Sequence, residues 1–198
     1  MGIVTRGFRR RQTADDRLPP GQYLIGDFPV LSAGPTPRVP LDAWAFTIRN
    51  ENDDVHEWSW QDLTQLPIEE LTVDIHCVTG WSKLDTAWRG VSLDILLNAV
   101  DTAADYALVR SYGDYTTNLP LEDLRDGKAW ITIDYNGDPL RPEHGGPARL
   151  LVPHLYLWKS AKWVHGLDLL VHDEPGFWEQ LGYHNYGDPW REQRYQGD

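Results

Sequence analysis

A single cysteine in 198 residues excludes an intramolecular disulfide, and with it any fold built on a disulfide framework. One thiol cannot build a closed zinc site, and no His, Asp or Glu falls at zinc-ligand spacing. No apolar run reaches 18 residues, so no membrane span is expected. Basic residues are scarce: 18 Lys and Arg stand against 30 Asp and Glu, a formal net charge of −12. A surface of that sign repels a phosphate backbone, so nucleic acid is not an expected partner. A small anion in one local basic pocket stays compatible with it. Internal repeats and low-complexity segments are also missing. Arg6 to Arg11 contains arginine pairs, but Gln12-Thr-Ala-Asp-Asp-Arg17 follows where an export signal needs an apolar stretch. Residues 1–18 therefore read as a polar N-terminal arm, and a cytoplasmic location is expected.

Tryptophan is abundant, with ten in the chain. Such large rings imply an aromatic core or a deep aromatic pocket. The length suits one domain, placed at 19–198. Residues 19–40 are rich in Pro and Gly and predict an extended, non-helical lead-in. Bulky and small residues alternate over Trp44–Ile48 and Val55–Trp60, which predicts a hairpin around Asn50–Asp54. Ser59–Leu66 predicts a short helix ended by Pro67, and Leu71–Ile75 a strand. Ser92–Val100 predicts a helix capped by Ser92. Further strands are expected at Tyr106–Arg110, Trp130–Ile133, Arg149–Val152 and Trp163–Val171, with a helical turn at Leu121–Leu124 and a tight turn at Asn136-Gly137. Strands outnumber short helices, so the fold class is α+β with a mixed, mostly antiparallel β framework.

Three segments carry chemistry-bearing residues. Cys77 ends the Leu71–Ile75 strand region, between His76 and a loop with Gly80 and Trp81. By itself it is compatible with an inert buried thiol, a soft metal ligand or a nucleophile. His76 is adjacent, and neighbours on a strand face opposite sides, so it is badly placed as the base for a nucleophile. His144-Gly-Gly-Pro-Ala-Arg149 offers a glycine turn that lets backbone approach a ligand, and an arginine suited to phosphate. Lys159-Ser-Ala-Lys-Trp163 places two cations and a hydroxyl within five residues. A thiolate, a glycine–arginine turn and a basic loop together suit a cofactor with a metal at one end and a phosphate at the other.

Three runs, in this order, resemble the molybdopterin domain of the sulfite oxidase-like oxidoreductases, in particular the short bacterial branch that includes the catalytic subunit of methionine-sulfoxide reductase. They are Asp74-Ile-His-Cys-Val-Thr-Gly-Trp-Ser82 with Trp88-Arg-Gly-Val-Ser-Leu93, Asn136 to Pro153, and Lys159 to Trp163. The resemblance covers about residues 20–198. It implies that Cys77 ligates molybdenum beside one molybdopterin, with one molybdenum per chain. It implies that His144 and Arg149 contact the pterin and its phosphate, that Ser160, Ala161 and Lys162 form the loop holding the cofactor, and that Ser111, Pro29 and Val30 fall at further contact positions. His76 and Tyr115 stand with Cys77 as candidate catalytic residues, and Trp81 and His184 as groups that orient the site. The implied activity is two-electron oxygen-atom transfer on a small substrate such as sulfite or a sulfoxide, with electrons exchanged with a separate haem or flavin protein, by a monomer. Two features depart from the longer sulfite oxidases. Val78-Thr-Gly-Trp81 stands where they carry an Asn-Arg-Arg run, and Ile133 where they carry a tyrosine; both absences point away from sulfite. The readings of another class are a non-catalytic relative that keeps the fold and a cysteine hydrolase.

Overall fold

In the computed structural model, residues 15–198 are described. Residues 1–14, most of the expected polar arm, lie outside the described residues. Its final stretch belongs to the folded body: the Arg17 guanidinium bonds the carboxylates of Asp74 and Asp85. The two carboxylates that hold this arginine lie on paired strands.

The elements run β1 (Tyr23–Leu24), β2 (Ala45–Arg49), β3 (Val55–Ser59), α1 (Trp60–Gln65), β4 (Ile68–His76), β5 (Trp81–Ser92), α2 (Leu93–Leu97), β6 (Tyr106–Ser111), β7 (Thr116–Pro120), β8 (Trp130–Tyr135), β9 (Asp138–Pro139), β10 (Arg149–Leu151), β11 (Val164–Leu170) and α3 (Phe177–Gln180), with short 3₁₀ turns between them. One sheet follows the order β1-β5-β8-β10, with β4 also on β5 and β9 on β8. The other has the order β3-β2-β11-β6-β7. Among the described residues, only β1 with β5 and β2 with β11 pair in parallel. This is the expected α+β architecture with mostly antiparallel strands.

Local chemistry explains several boundaries. The Ser59 hydroxyl accepts from the Asp62 amide at 3.2 Å, and the Asp62 carboxylate accepts from the Ser59 amide at 3.0 Å, a reciprocal cap that starts α1. Pro67 has no N–H to continue the helix, and its ring constrains Leu66 to the extended conformation found there. The longest strand, β5, has no counterpart among the expected elements. Exposed Asp85, Ala87 and Arg89 alternate with buried Thr86, Trp88 and Gly90 along it, and its register on β8 shifts between Arg89 and Gly90. A β-carbon at Gly90 would meet the Ile131 carbonyl and lie 2.7 Å from Thr132 Cα, so glycine is required where the two strands close up.

The main core lies between the sheets. Phe46, Ile48, Val109 and Leu167 come from one sheet and Val91, Ile131 and Leu150 from the other, joined by Leu96 and Leu97 of α2. Burying each such side chain contributes about 1.5–3 kcal/mol. A second cluster, Ile75, Cys77, Trp81, Trp88, Leu140 and Leu151, fills the space beneath the β4–β5 turn. That turn is therefore held on packed rings.

Candidate functional site: one cleft joining the cysteine and the basic segment

The β4–β5 turn presents Cys77. Its amide donates to the Trp81 carbonyl at 2.8 Å, and the Gly80 amide donates to the Cys77 carbonyl at 3.0 Å. Gly80 adopts φ +97°, a left-handed conformation that glycine takes without strain. Gln22 donates to the Cys77 carbonyl at 3.1 Å from outside the turn. The Cys77 sulfur lies 3.2 Å from the Thr79 hydroxyl. Burial pushes the thiol pKa up, opposed by the Thr79 hydroxyl and by the charge of Arg194. Without a metal the sulfur is thus a thiol, and coordination would supply the driving force for its deprotonation.

Cys77 opens onto a cleft of about 740 Å³. One wall is the lead-in from Phe28 to Pro37; facing it are Arg149, Ser160, Ala161, Lys162 and Trp163. Four of the ten tryptophans, Trp81, Trp158, Trp163 and Trp178, line the cleft, which gives the tryptophan-rich composition its place.

The basic segment is built around Gly145, at φ +110°. A side chain there would press on the β-carbons of Lys162 at 3.0 Å and Arg149 at 3.1 Å, so glycine permits the two cations to converge. Arg149 is 3% exposed. It donates to the carbonyls of His144 at 2.9 Å and Ser160 at 2.8 Å, lies against the rings of Phe28 and Trp88, and its Nε has no partner. No carboxylate pairs with it among the described residues. Burial therefore lowers its pKa to about 10. Lys162 donates to the Glu143 carbonyl at 2.9 Å and lies over the Trp163 ring. Burial, then repulsion from Arg149, lowers its pKa to about 8. Two cations that disfavour each other at a cleft wall are suited to an anion.

Of the residues singled out from sequence, Pro29, Cys77, Tyr115, His144, Arg149, Ser160, Ala161 and Lys162 line this one cleft. His76, Ser111 and Val30 are not on its wall. His76 points to the opposite side of the strand, its Nδ1 2.8 Å from the Ser82 hydroxyl and its ring near Trp190. It makes no hydrogen bond to Cys77, and a thiol without a partnered base does not form the dyad of a cysteine hydrolase. Ser111 is buried, its hydroxyl unpartnered, and Val30 is exposed. Trp81 reaches the cleft, whereas His184 accepts from the amides of Tyr186 and Gly187 beneath the tail. The Tyr115 hydroxyl donates to the Trp158 carbonyl at 2.6 Å, and burial with the nearby Glu179 raises its pKa well above the ordinary value. It stays protonated and helps to fix Trp158.

Lys159 corrects the reading of its segment as a doubly basic loop. It is fully buried, 2.6 Å from Glu179, and donates to the carbonyls of Asn118 and Asn185 at 2.7 Å each. Only Lys162 of the pair faces the cleft. Phe28, Thr79, Trp158, Phe177, Trp178 and Tyr183 are cleft residues that sequence reasoning did not single out. Composition was the available signal for the rings; their convergence depends on the fold.

The residues fit a molybdenum–pterin cofactor. A thiol at a rigid turn provides a soft ligand, the glycine turn gives room for close approach, and Arg149 and Lys162 supply uncompensated positive charge for a phosphate.

The family profile described as "Oxidoreductase molybdopterin binding domain" matches residues 33–178. The chain is 42% identical over 195 residues to "Uncharacterized oxidoreductase YuiH" of Bacillus subtilis (strain 168), covering 97% of this chain and 98% of that protein. It is 27% identical over 139 residues to "Protein-methionine-sulfoxide reductase catalytic subunit MsrP" of Gluconobacter oxydans (strain 621H), covering 61% of this chain and 44% of that one. Among solved structures it superposes on the sulfane dehydrogenase SoxCD of Paracoccus pantotrophus with a TM-score of 0.63 at 19% identity, over 70% of this chain and 41% of that one. The chain thus spans under half the length of the last two. The chain belongs to the oxidoreductase molybdopterin-binding domain family of sulfite oxidase-like enzymes and is a molybdopterin-dependent oxidoreductase.

Proposed function

We propose that the protein reduces a small, uncharged sulfoxide at a molybdenum held by Cys77, with electrons delivered by a separate redox protein. The observation that carries this reading is the joining of Cys77, Arg149 and Lys162 on one cleft that also holds the rings of Trp81, Trp158, Phe177, Trp178 and Tyr183. When bound, the cofactor supplies two-electron oxygen-atom transfer, here sulfoxide plus two protons and two electrons giving thioether and water. His144 and Arg149 would hold the pterin and its phosphate, Lys162 would add charge to the same end, and Cys77 would ligate the metal, one per chain.

The protein's own groups explain the preference. His144 is stacked on Phe28 at 4.3 Å, and burial and Arg149 lower its pKa, so it is neutral and contributes no charge to an incoming anion. Lys159 is neutralised by Glu179. Once a cofactor phosphate engages Arg149 and Lys162, the wall left for substrate includes the rings of Trp81, Trp158, Phe177, Trp178 and Tyr183, and the one carboxylate on it among the described residues, Asp114, disfavours an anion. Aromatic faces favour a polarisable, uncharged sulfur compound and exclude water from it. MsrP is named for a sulfoxide substrate. The test is turnover of the cofactor-loaded protein with reduced viologen and alkyl or aryl sulfoxides, beside sulfite oxidation with ferricyanide. The expected result is sulfoxide reduction in excess of sulfite oxidation. Faster sulfite turnover would overturn the substrate assignment.

A further inference from the structure

Two carbonyls of the Cys77 turn are each bonded by a distant side chain. Gln22 holds that of Cys77. Arg194, from the tail, donates through Nη1 to that of Val78 at 2.6 Å. The same guanidinium reaches the Pro20 carbonyl at 3.4 Å and covers the Tyr156 ring at 5.2 Å. The backbone around it is fixed: the Arg194 amide donates to Asp198 at 2.9 Å and its carbonyl accepts from the His184 amide at 3.1 Å. No carboxylate lies within ion-pair distance of its side chain among the described residues. This half-buried cation, bonded to carbonyls with no carboxylate in ion-pair contact, places its charge beside the turn.

We infer that Arg194 is a positioning residue for the metal-binding cysteine: it clamps the Cys77 turn and supplies there the positive charge that the sequence does not place after the cysteine. The inference rests on the molybdenum reading of the cleft. The turn itself, Val78-Thr-Gly-Trp81, has no cation. The fold brings one from 116 residues away along the chain. The Arg194 guanidinium bonds the carbonyl of Val78, the residue that follows the cysteine. A positive charge beside a thiolate ligand stabilises the more electron-rich state of the metal, so it raises the reduction potential.

The experiment compares wild type, Arg194→Lys and Arg194→Gln as cofactor-loaded proteins. Molybdenum is quantified first, and a one-electron midpoint potential is then measured by paramagnetic resonance during a redox titration. Arg194→Gln is expected to weaken reduction about tenfold in equilibrium constant, ~59 mV for one electron, while Arg194→Lys stays near wild type. Equal potentials in wild type and Arg194→Gln, or equal losses in both variants, would overturn the role of the charge. Hydrogen exchange of the Cys77 and Gly80 amides in metal-free protein reads the clamp independently of loading. Faster exchange in Arg194→Gln supports the clamp, and unchanged exchange overturns it. A wild type without molybdenum defeats the reading of the cleft instead, and the exchange result still decides the clamp.

Discussion

At the scale of residues, the cleft carries cations bonded to carbonyls and, among the described residues, to no carboxylate. Lys162 is the clearest case. In the unfolded chain its amine keeps a proton up to its ordinary 10.5; in the folded chain without cofactor it does so only to about 8. Between these values the unfolded state binds more protons, so this group makes stability rise as pH climbs above 8. Urea titrations of metal-free protein from pH 7.5 to 10 are expected to show that rise in wild type and to lose it in Lys162→Met. Equal pH dependence in the two proteins would show that Lys162 is not depressed. Cys77, Arg149 and Lys162 were legible in the sequence because strand end, glycine turn and basic segment are local patterns. Lys159 was misread because its partner, Glu179, is 20 residues away and nothing local marks the lysine as inward-facing. Arg194 was illegible for the same reason at greater distance: its target is a backbone carbonyl, which leaves no trace in side-chain pattern.

At the scale of elements, β5 organises the site, since it pairs with β1, β4 and β8 and follows directly on the Cys77 turn. Gly90→Ala is expected to destabilise the protein by about 1–3 kcal/mol, because the added carbon meets backbone on β8 that cannot move aside cheaply. Chemical denaturation measures this, and a change below 0.5 kcal/mol, about the scatter of ordinary surface substitutions, would contradict it. At the cap of α1, Ser59→Ala is expected to cost about 1 kcal/mol by the same assay. The hairpin of β2 and β3, the helix after Ser59, the cap at Ser92 and the strand before Cys77 were readable because alternation and capping residues act within a few positions. β5 was not, because the residues it buries there, Thr86 and Gly90 beside Trp88, are polar or small, so its inward face carries little apolar signal. β7 was not, because its buried Thr117 and Asn118 are polar residues satisfied by Glu179, Asp173 and Asn185 from the tail.

At the scale of the whole molecule, the two ends of the described chain close the site. The lead-in supplies one cleft wall, and the tail supplies Phe177, Trp178 and Tyr183. The tail is locked by Glu179, which accepts from Thr117 at 2.9 Å, Trp158 at 2.9 Å and Lys159 at 2.6 Å. Lys159→Met leaves this carboxylate buried without its cation and is expected to cost about 3–5 kcal/mol; Lys159→Met with Glu179→Leu should recover part of it, read by the same denaturation assay.

The central claim is that Cys77 holds molybdenum in this cleft. Elemental analysis of wild type and Cys77→Ser, made in a host that loads other molybdenum enzymes, tests it most directly. The account predicts about one molybdenum per chain in wild type and a large loss in Cys77→Ser with the fold retained by circular dichroism. A metal-free wild type, or equal molybdenum in both proteins, would contradict it.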